Sequence, residues 1–216
     1  MSRGRFTDVA AVRRAYDAVA EVYARELFDE LDSKPFDRRL LDGFAGAVVR
    51  PGKIVDVGCG PGHVAAYIRQ RGPTVLGFDL SRAMLAEART RVPDLVAVAG
   101  DMSTMPFADG AFDGLVAFYS VFHFPRERVP DVLTECRRVL APGAPAIFAV
   151  HLGEGEVHAG AFHDVPIELD GTLFDRDEFI DMVIQARFDP QDVTVRPPYP
   201  AEHPKHRLYL SAQAGP

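Results

Sequence analysis

The strongest constraint on this chain is the stretch Ile54-Val55-Asp56-Val57-Gly58-Cys59-Gly60-Pro61-Gly62-His63. An apolar, β-branched run meets an acid, and three glycines follow at alternate positions. This pattern predicts a buried strand, a tight turn and the start of a helix. Glycine accepts positive φ and carries no Cβ, so a ligand can approach the main chain there. Free N–H groups at a helix start point into the same space.

The spacing narrows the ligand. A dinucleotide turn places its third glycine for close helix–strand packing around a pyrophosphate, as G-x-G-x-x-G. Here Gly58, Gly60 and Gly62 form G-x-G-x-G, and His63 occupies that third position. Asp56 stands just before the turn, where a carboxylate suits an ammonium group better than phosphates. S-adenosylmethionine, with an amino acid end, a cationic sulfonium and no phosphate, fits that chemistry.

The remaining chain reads as alternating strand and helix. Residues 7–31 carry Val9, Val12, Ala15, Tyr16, Val19, Val22, Tyr23 and Leu27 near helical spacing, with Thr7 as a possible cap. This segment is either a lid over the ligand or a plain packing helix with Tyr16 and Tyr23 in the core. A second helix is expected over 36–49. Strands follow at 54–57, 74–78, 95–99, 112–119 and 146–151, with helices after Gly62, from Arg82 under a Ser81 cap, and from Pro130 to Leu140. Repeated β-α-β units imply a doubly wound α/β fold, a parallel sheet with helices on both faces. Residues 153–171 show little periodicity. A helix over 175–186 precedes two strands, near 192–196 and 206–211, whose short connection suggests an antiparallel hairpin.

Three acids, Asp56, Asp79 and Asp101, stand at the carboxyl ends of the first three strands, where ligands of open α/β sheets bind. Asp79 follows Gly62 by 17 positions, a distance that suits ribose hydroxyls. Asp101 is then placed for an adenine amino group. Single acids at loop starts are common because Asp favours turns; the set, with the glycine turn, favours ligand binding.

Composition sets the outer limits. With 216 residues, 47% of them hydrophobic, the chain suits one domain spanning 1–216. Within it, 1–50 would form a helical lid, 51–152 a cofactor-binding core, and 153–216 a substrate-loop and hairpin region. A net charge of −7 with no basic block argues against a nucleic-acid partner. No apolar run is long enough to span a membrane, and Met1–Arg5 has no apolar stretch behind it, so no signal peptide is expected. Cys59 and Cys136 fit a reducing cytoplasm better than a disulfide framework. The sequence carries no signal for an oligomeric state.

Taken as a set, Val55–Gly62, Phe78-Asp79-Leu80-Ser81 with Met84, Gly100-Asp101-Met102 through Pro106-Phe107, Phe112-Asp113, and Arg138–Gly143 resemble class I S-adenosylmethionine-dependent methyltransferases. The similarity spans roughly 50–152 and is greatest to the small-molecule, ubiquinone/menaquinone-type branch. Tyr16-Asp17-x-x-Ala20-x-x-Tyr23 is similar to the lid helix of that branch. The resemblance implies a Rossmann-like sheet of seven strands in the order 3-2-1-4-5-7-6, with the last strand antiparallel. It implies that Gly58 and Gly60 pack near the methionine part, that Asp79 holds the ribose, and that Asp101 with Met102 holds adenine. Gly62, Leu80, Met84, Phe118, Tyr119, Tyr16 and Tyr23 complete the expected cofactor set, and S-adenosylhomocysteine is the expected product. An Asn-Pro-Pro-Tyr type motif is lacking after strand four, which favours a small, partly apolar substrate.

Methyl transfer by in-line displacement needs positioning and desolvation and requires no metal. A base matters only for a protonated nucleophile. His123, which follows strand four, and His151, which ends strand five, are the leading candidates, with His158 and His163 behind them. The spacings of His151, His158, His163, His203 and His206 match no zinc pattern, so no metal is expected. Cys59 reads as a small turn residue. Arg196, Arg207 and Tyr209 read as exposed or packing residues. Two alternatives stand beside a methyltransferase: an NAD(P)-dependent oxidoreductase, which His63 and the lack of a Tyr-x-x-x-Lys pair disfavour, and a non-catalytic S-adenosylmethionine-binding protein.

Overall fold

The glycine-turn strand, β1 (Lys53–Val57), is the centre of the molecule. Ile54, Val55 and Val57 are fully buried, because β1 has strands on both edges and helices on both faces. The computed structural model describes residues 6–49, 51–200 and 202–216; Met1–Arg5, read above as lacking a signal peptide, lie outside the described residues.

In chain order, α1 (Val9–Leu27) and α2 (Pro35–Ala47) precede β1. Then come α3 (His63–Arg69), β2 (Thr74–Asp79), α4 (Arg82–Arg91), β3 (Val96–Ala99) and β4 (Gly114–Phe118). The chain continues through α5 (Val129–Arg138), β5 (Pro145–His151), β6 (Glu156–Phe162), β7 (Val165–Thr172), α6 (Arg176–Gln185), β8 (Phe188–Arg196) and β9 (Arg207–Ala214). The main sheet runs β3-β2-β1-β4-β5-β9-β8. Strands β1 to β5 pair in parallel, and β9 pairs antiparallel with both β5 and β8. Counting only the strands of this sheet, the order is the expected 3-2-1-4-5-7-6.

Alternate residues of the strands feed opposite faces. Val55, Val57, Leu115 and Phe148 pack with Leu133 of α5 and Phe179 and Val183 of α6. Ile54, Val116 and Ile147 pack with Leu41 and Phe44 of α2 and Val64 and Ile68 of α3. Among the described residues, no helix is long and apolar enough to cross a membrane.

Four local expectations are corrected. Residues 153–171, expected to lack pattern, contain the β6–β7 hairpin, a separate two-stranded sheet. Val165, Ile167 and Leu169 alternate there with Pro166, Glu168 and Asp170, a period of two that faces one side onto α1. Helix α1 ends at Leu27, and Glu30–Ser33 forms a separate 3₁₀ turn. Its cap is Asp8, whose Oδ1 accepts from the Ala11 N–H at 2.7 Å. Thr7 instead donates its hydroxyl to Asp170 of β7 at 2.6 Å, tying the start of α1 to the hairpin.

The fourth correction concerns Arg196, Arg207 and Tyr209, which form neither an exposed rim nor plain packing. All three are buried, in a polar network joining α2 to the terminal strands. Arg196 donates to Glu202 at 2.6 Å, to Tyr209 at 2.7 Å and to Asp37 at 3.1 Å. Tyr209 donates to Asp37 at 2.7 Å and accepts from Tyr119 at 2.7 Å. Lys34 and Arg207 each reach Glu202 at 3.2 Å. Burial pushes the Asp37 carboxyl up against the pull of Tyr209 and Arg196. Removing one partner leaves the others charged, unpaired and dry. Arg196→Met is therefore expected to cost about 3 kcal/mol or more of unfolding free energy in urea denaturation. A loss under about 0.5 kcal/mol, the range of ordinary surface changes, would contradict this view of the network.

Candidate functional site

At the carboxyl ends of β1 and β2 the sheet opens into a cleft, and the glycine turn forms its floor. Gly58 has φ +77°, and a Cβ there would lie 2.2 Å from Cβ of Ser120, so only glycine permits this approach. Ser120, just past β4, donates its hydroxyl to the Val57 carbonyl at 2.8 Å and closes the contact. Sequence reasoning did not single out Ser120, because its role depends on a partner 63 positions away. Gly62 differs from its expected role: it does not line the cleft. A side chain at Gly62 would press on Leu95 at 3.1 Å and Ala88 at 3.3 Å, so this glycine serves packing between α3 and α4.

The two central acids differ in their surroundings. The Asp79 carboxylate accepts the Gly60 N–H and the Ser81 N–H, each at 2.8 Å, which fixes its orientation. Burial pushes it up to about 6, with those N–H groups pulling the other way. Asp56 is only 1% exposed, and its Oδ2 has no hydrogen-bond partner. Burial pushes Asp56 up to about 7, opposed by the nearby His63. An unpartnered buried carboxylate oxygen is costly unless a donor arrives from outside the chain.

The other expected residues gather around these acids. Asp56, Gly58, Gly60, Asp79, Leu80, Met84, Asp101, Met102, Phe118, Tyr119, Tyr16, Tyr23 and His123 all line the cleft. Asp101 Oδ1 accepts the Ser103 N–H at 2.8 Å, leaving Oδ2 toward other donors. Ser81 caps α4, accepting the Met84 N–H at 3.0 Å. Tyr119 holds a φ of +51°, a strained value for an aromatic residue, and it directs the chain out of β4.

Helix α1 lies over the cleft. Its Asp17 accepts the Ser81 hydroxyl at 2.6 Å and the Ala83 N–H at 3.2 Å, pinning α1 to the start of α4. Tyr16 and Tyr23 meet edge to face at 6.1 Å, and Tyr23 stacks on Phe162 of the hairpin at 5.2 Å. Glu30 bridges the helical segment to the glycine turn, pairing with His63 at 3.1 Å and Lys34 at 2.7 Å. Burial would raise its carboxyl, yet these partners bring it down to about 2. The pairings of Asp17 and Glu30 left no trace in the linear pattern, since helix-surface acids are ordinary.

Behind the cleft lies a second cavity of about 700 Å³. Phe122, Val157, Phe162, Leu169 and Leu173 form apolar walls, and Lys34, His151, Glu202, His203 and Arg207 form a polar end. Tyr16, Tyr23, Glu30, Tyr119 and His123 line both spaces.

The histidines separate by environment. His151 lines only the second cavity; it stacks on Tyr119 at 4.8 Å, and its Nδ1 has no partner. His123 sits where the two cavities meet, with Nε2 2.5 Å from Tyr16 Oη and Nδ1 3.2 Å from the Asp170 carbonyl. Burial pushes His151 down to about 3 and His123 to about 4, so both imidazoles are uncharged and weakly basic at ordinary pH. His158 pairs with Asp170 at 2.8 Å and Glu168 at 3.1 Å on the hairpin, and His163 lies in the hairpin turn. Among the described residues, no cluster of three metal-ligating side chains occurs. Burial raises the Cys59 thiol, so the turn cysteine is a poor nucleophile.

Comparison with known proteins agrees with this geometry. Residues 54–143 match the model of the methyltransferase domain family. The chain is 36% identical over 149 residues to the demethylmenaquinone methyltransferase of Beutenbergia cavernae, covering 68% of this chain and 56% of that protein. It is 31% identical over 195 residues to the malonyl-[acyl-carrier protein] O-methyltransferase of Halorhodospira halophila, covering 84% of this chain and 62% of that one. The chain spans about half the length of the curated relatives it matches, from 34% to 62%. Among solved structures, the 1,6-didemethyltoxoflavin-N1-methyltransferase of Burkholderia thailandensis, bound to its substrate and S-adenosylhomocysteine, aligns with TM-score 0.70 at 18% identity, covering 100% of this chain and 94% of that one. Fold, glycine turn and family match agree: residues 54–143 match the methyltransferase domain family, and they lie on a doubly wound α/β sheet with the glycine turn after its first strand.

Proposed function

We propose that this chain transfers the methyl group of S-adenosylmethionine to a small, partly apolar acceptor. The observation that carries this reading is Asp56: a buried carboxylate with an unpartnered oxygen, beside a glycine turn and the oriented Asp79 carboxylate. That donor-hungry pair suits an ammonium group and a ribose diol. It repels the phosphates of a nicotinamide dinucleotide, which counts against the oxidoreductase alternative. A second cavity sharing the Tyr16–His123 wall favours an enzyme over a binding protein.

Bound S-adenosylmethionine supplies a methyl carbon on a positively charged sulfur. In our reading Asp56 accepts from the ammonium, Asp79 accepts from the ribose hydroxyls, and Asp101 with the Met102 N–H holds adenine. Gly58 and Gly60 let the main chain close on the methionine part, with Leu80, Met84 and Phe118 as apolar walls. Tyr16 and Tyr23 cover the site and exclude water, which strengthens each charge-assisted contact. The named acceptors of the relatives differ widely, so the acceptor class is read from this chain's own second cavity, whose walls are largely apolar. The buried free thiols Cys59 and Cys136 suit a cytoplasmic setting, and the net charge of −7 suits a partner other than nucleic acid.

Calorimetry of the folded protein tests the reading. S-adenosylmethionine and S-adenosylhomocysteine are expected to bind at micromolar levels, and Asp79→Ala to weaken both at least ~30-fold through loss of charged hydrogen bonds. Absence of binding by the folded wild type would overturn it.

The acids also predict a pH signature. A carboxyl raised from about 4 in the unfolded chain to about 7 in the fold, as for Asp56, holds its proton more tightly when folded. Its contribution to stability is present at low pH and is lost as pH rises through that window. His123 and His151, pushed down by burial, contribute the opposite slope, so the diagnostic is a difference. The stability of wild type minus that of Asp56→Asn, from denaturant unfolding without ligand, is expected to fall between about pH 4 and pH 7. A flat or rising difference would show that Asp56 keeps its charge without a ligand.

A further inference from the structure

Two cavities meet at one hydrogen bond. Tyr16 and His123 line both the cofactor cleft and the larger apolar-walled cavity, and their side chains touch at 2.5 Å. The direction of that bond follows from the other side of the ring. His123 Nδ1 faces the Asp170 carbonyl at 3.2 Å, and a carbonyl oxygen only accepts. Nδ1 therefore carries the ring proton, Nε2 presents a lone pair, and the Tyr16 hydroxyl donates to it.

The surrounding fold is shaped to hold this arrangement. Phe122 packs on the His123 ring at 4.0 Å between ring centres. A Cβ at Gly171 would lie 2.6 Å from the Phe122 ring, so glycine lets β7 come close enough for the Asp170 carbonyl to reach Nδ1. Other ionisable groups near the pair are Tyr23 on α1, Asp79 at the end of β2 and His151 at the end of β5. None of them takes the place of either hydrogen bond.

We propose that Tyr16 and His123 form a proton relay for an acceptor that reacts through a hydroxyl group, with Tyr16 Oη taking the acceptor's proton while passing its own to His123 Nε2. The inference rests on the methyltransferase reading above and names its acceptor class. A neutral amine or a thioether attacks carbon with a lone pair it already holds, so the attacking step itself needs no such relay. An alcohol or phenol is a weak nucleophile until its proton leaves. The atoms and charge balance. The acceptor oxygen gains the methyl carbon, the S–C electron pair stays on sulfur, and the acceptor's proton moves to Tyr16 as the tyrosine proton moves to His123. The positive charge lost at sulfur reappears on the imidazole, whose ring lines the same cleft. His123 enters the step uncharged, with its Nε2 lone pair open to the tyrosine proton; burial opposes the imidazolium, and the sulfonium charge that vanishes in the same step removes the repulsion it would otherwise add. Tyr16 is then the catalytic group at the acceptor, and His123 positions it and stores the proton. His151, confined to the second cavity, stands outside the relay.

Nuclear magnetic resonance of the full chain with ¹⁵N-labelled histidine tests the relay without an identified acceptor. His123 is expected as the neutral Nδ1–H tautomer at pH 7, with a downfield hydroxyl proton that disappears in Tyr16→Phe. Replacing S-adenosylmethionine by S-adenosylhomocysteine is expected to raise the His123 titration midpoint by about one unit, because a nearby positive charge is removed. An Nε2–H tautomer, or a midpoint indifferent to that exchange while calorimetry shows both ligands bound, would overturn the relay. Failure of either ligand to bind would overturn the methyltransferase reading itself, and the tautomer would remain readable in the free protein. In labelled-methyl transfer to a panel of phenols, hydroxyquinones, amines and thiols, hydroxyl products are expected, with Tyr16→Phe slower by about 100-fold. Products only from amines or thiols, or an undiminished Tyr16→Phe rate, would contradict it.

Discussion

The contact between Gly58 and Ser120 is the constraint on which the site depends. A single added carbon at Gly58 would collide with Ser120 at 2.2 Å, so the turn after β1 and the exit from β4 fit only with hydrogen at that position. The Ser120 hydroxyl then bonds the Val57 carbonyl. The preceding residue, Tyr119, adopts its strained positive φ as the chain leaves the sheet. From there its ring stacks on His151 and its hydroxyl donates to Tyr209. Tyr209 in turn belongs to the buried Asp37–Arg196–Glu202 network. One close approach in the glycine turn is thus connected, through packed and hydrogen-bonded side chains, to the far edge of the sheet.

A second theme is the use of acids for different tasks. Asp79 is oriented by two backbone N–H groups, Asp17 pins α1 to α4, Glu30 clips the glycine turn to the helical segment, and Asp37 anchors a buried arginine. Each of these has its donors within the chain. Asp56 is the exception, with one buried oxygen left without a donor. The contrast directs attention to Asp56 as the point where an external cation completes the fold's hydrogen bonding.

The alternating strands and helices, the glycine turn and the acids at strand ends were legible because they rest on local pattern: period, spacing and turn chemistry; the order of the strands in the sheet came only with the family resemblance. The β6–β7 hairpin was legible in principle, since Val165, Ile167 and Leu169 alternate with polar partners, but Gly160 and the bulge near it interrupt the first strand. Gly62 shows the limit of motif reasoning. It belongs to the glycine run, yet its missing side chain makes room for Leu95 and Ala88 rather than for a ligand. The partnerships of Ser120, Asp17 and Glu30, and the burial of Arg196, Arg207 and Tyr209, arise from contacts between distant segments. No linear period encodes them. His123 and His151 looked equivalent as residues after neighbouring strands, and only the cavity walls separate them.

The central claim is that the cleft under α1 is built for S-adenosylmethionine and that Asp56 receives its ammonium group. A crystal structure of the full chain grown with S-adenosylhomocysteine tests this most directly. The account predicts the nucleoside product beneath Tyr16 and Tyr23, with its amino nitrogen in hydrogen-bond reach of Asp56 Oδ2 and its ribose on Asp79. Product bound elsewhere on the sheet, or in the cleft with its amino group turned away from Asp56, would contradict it.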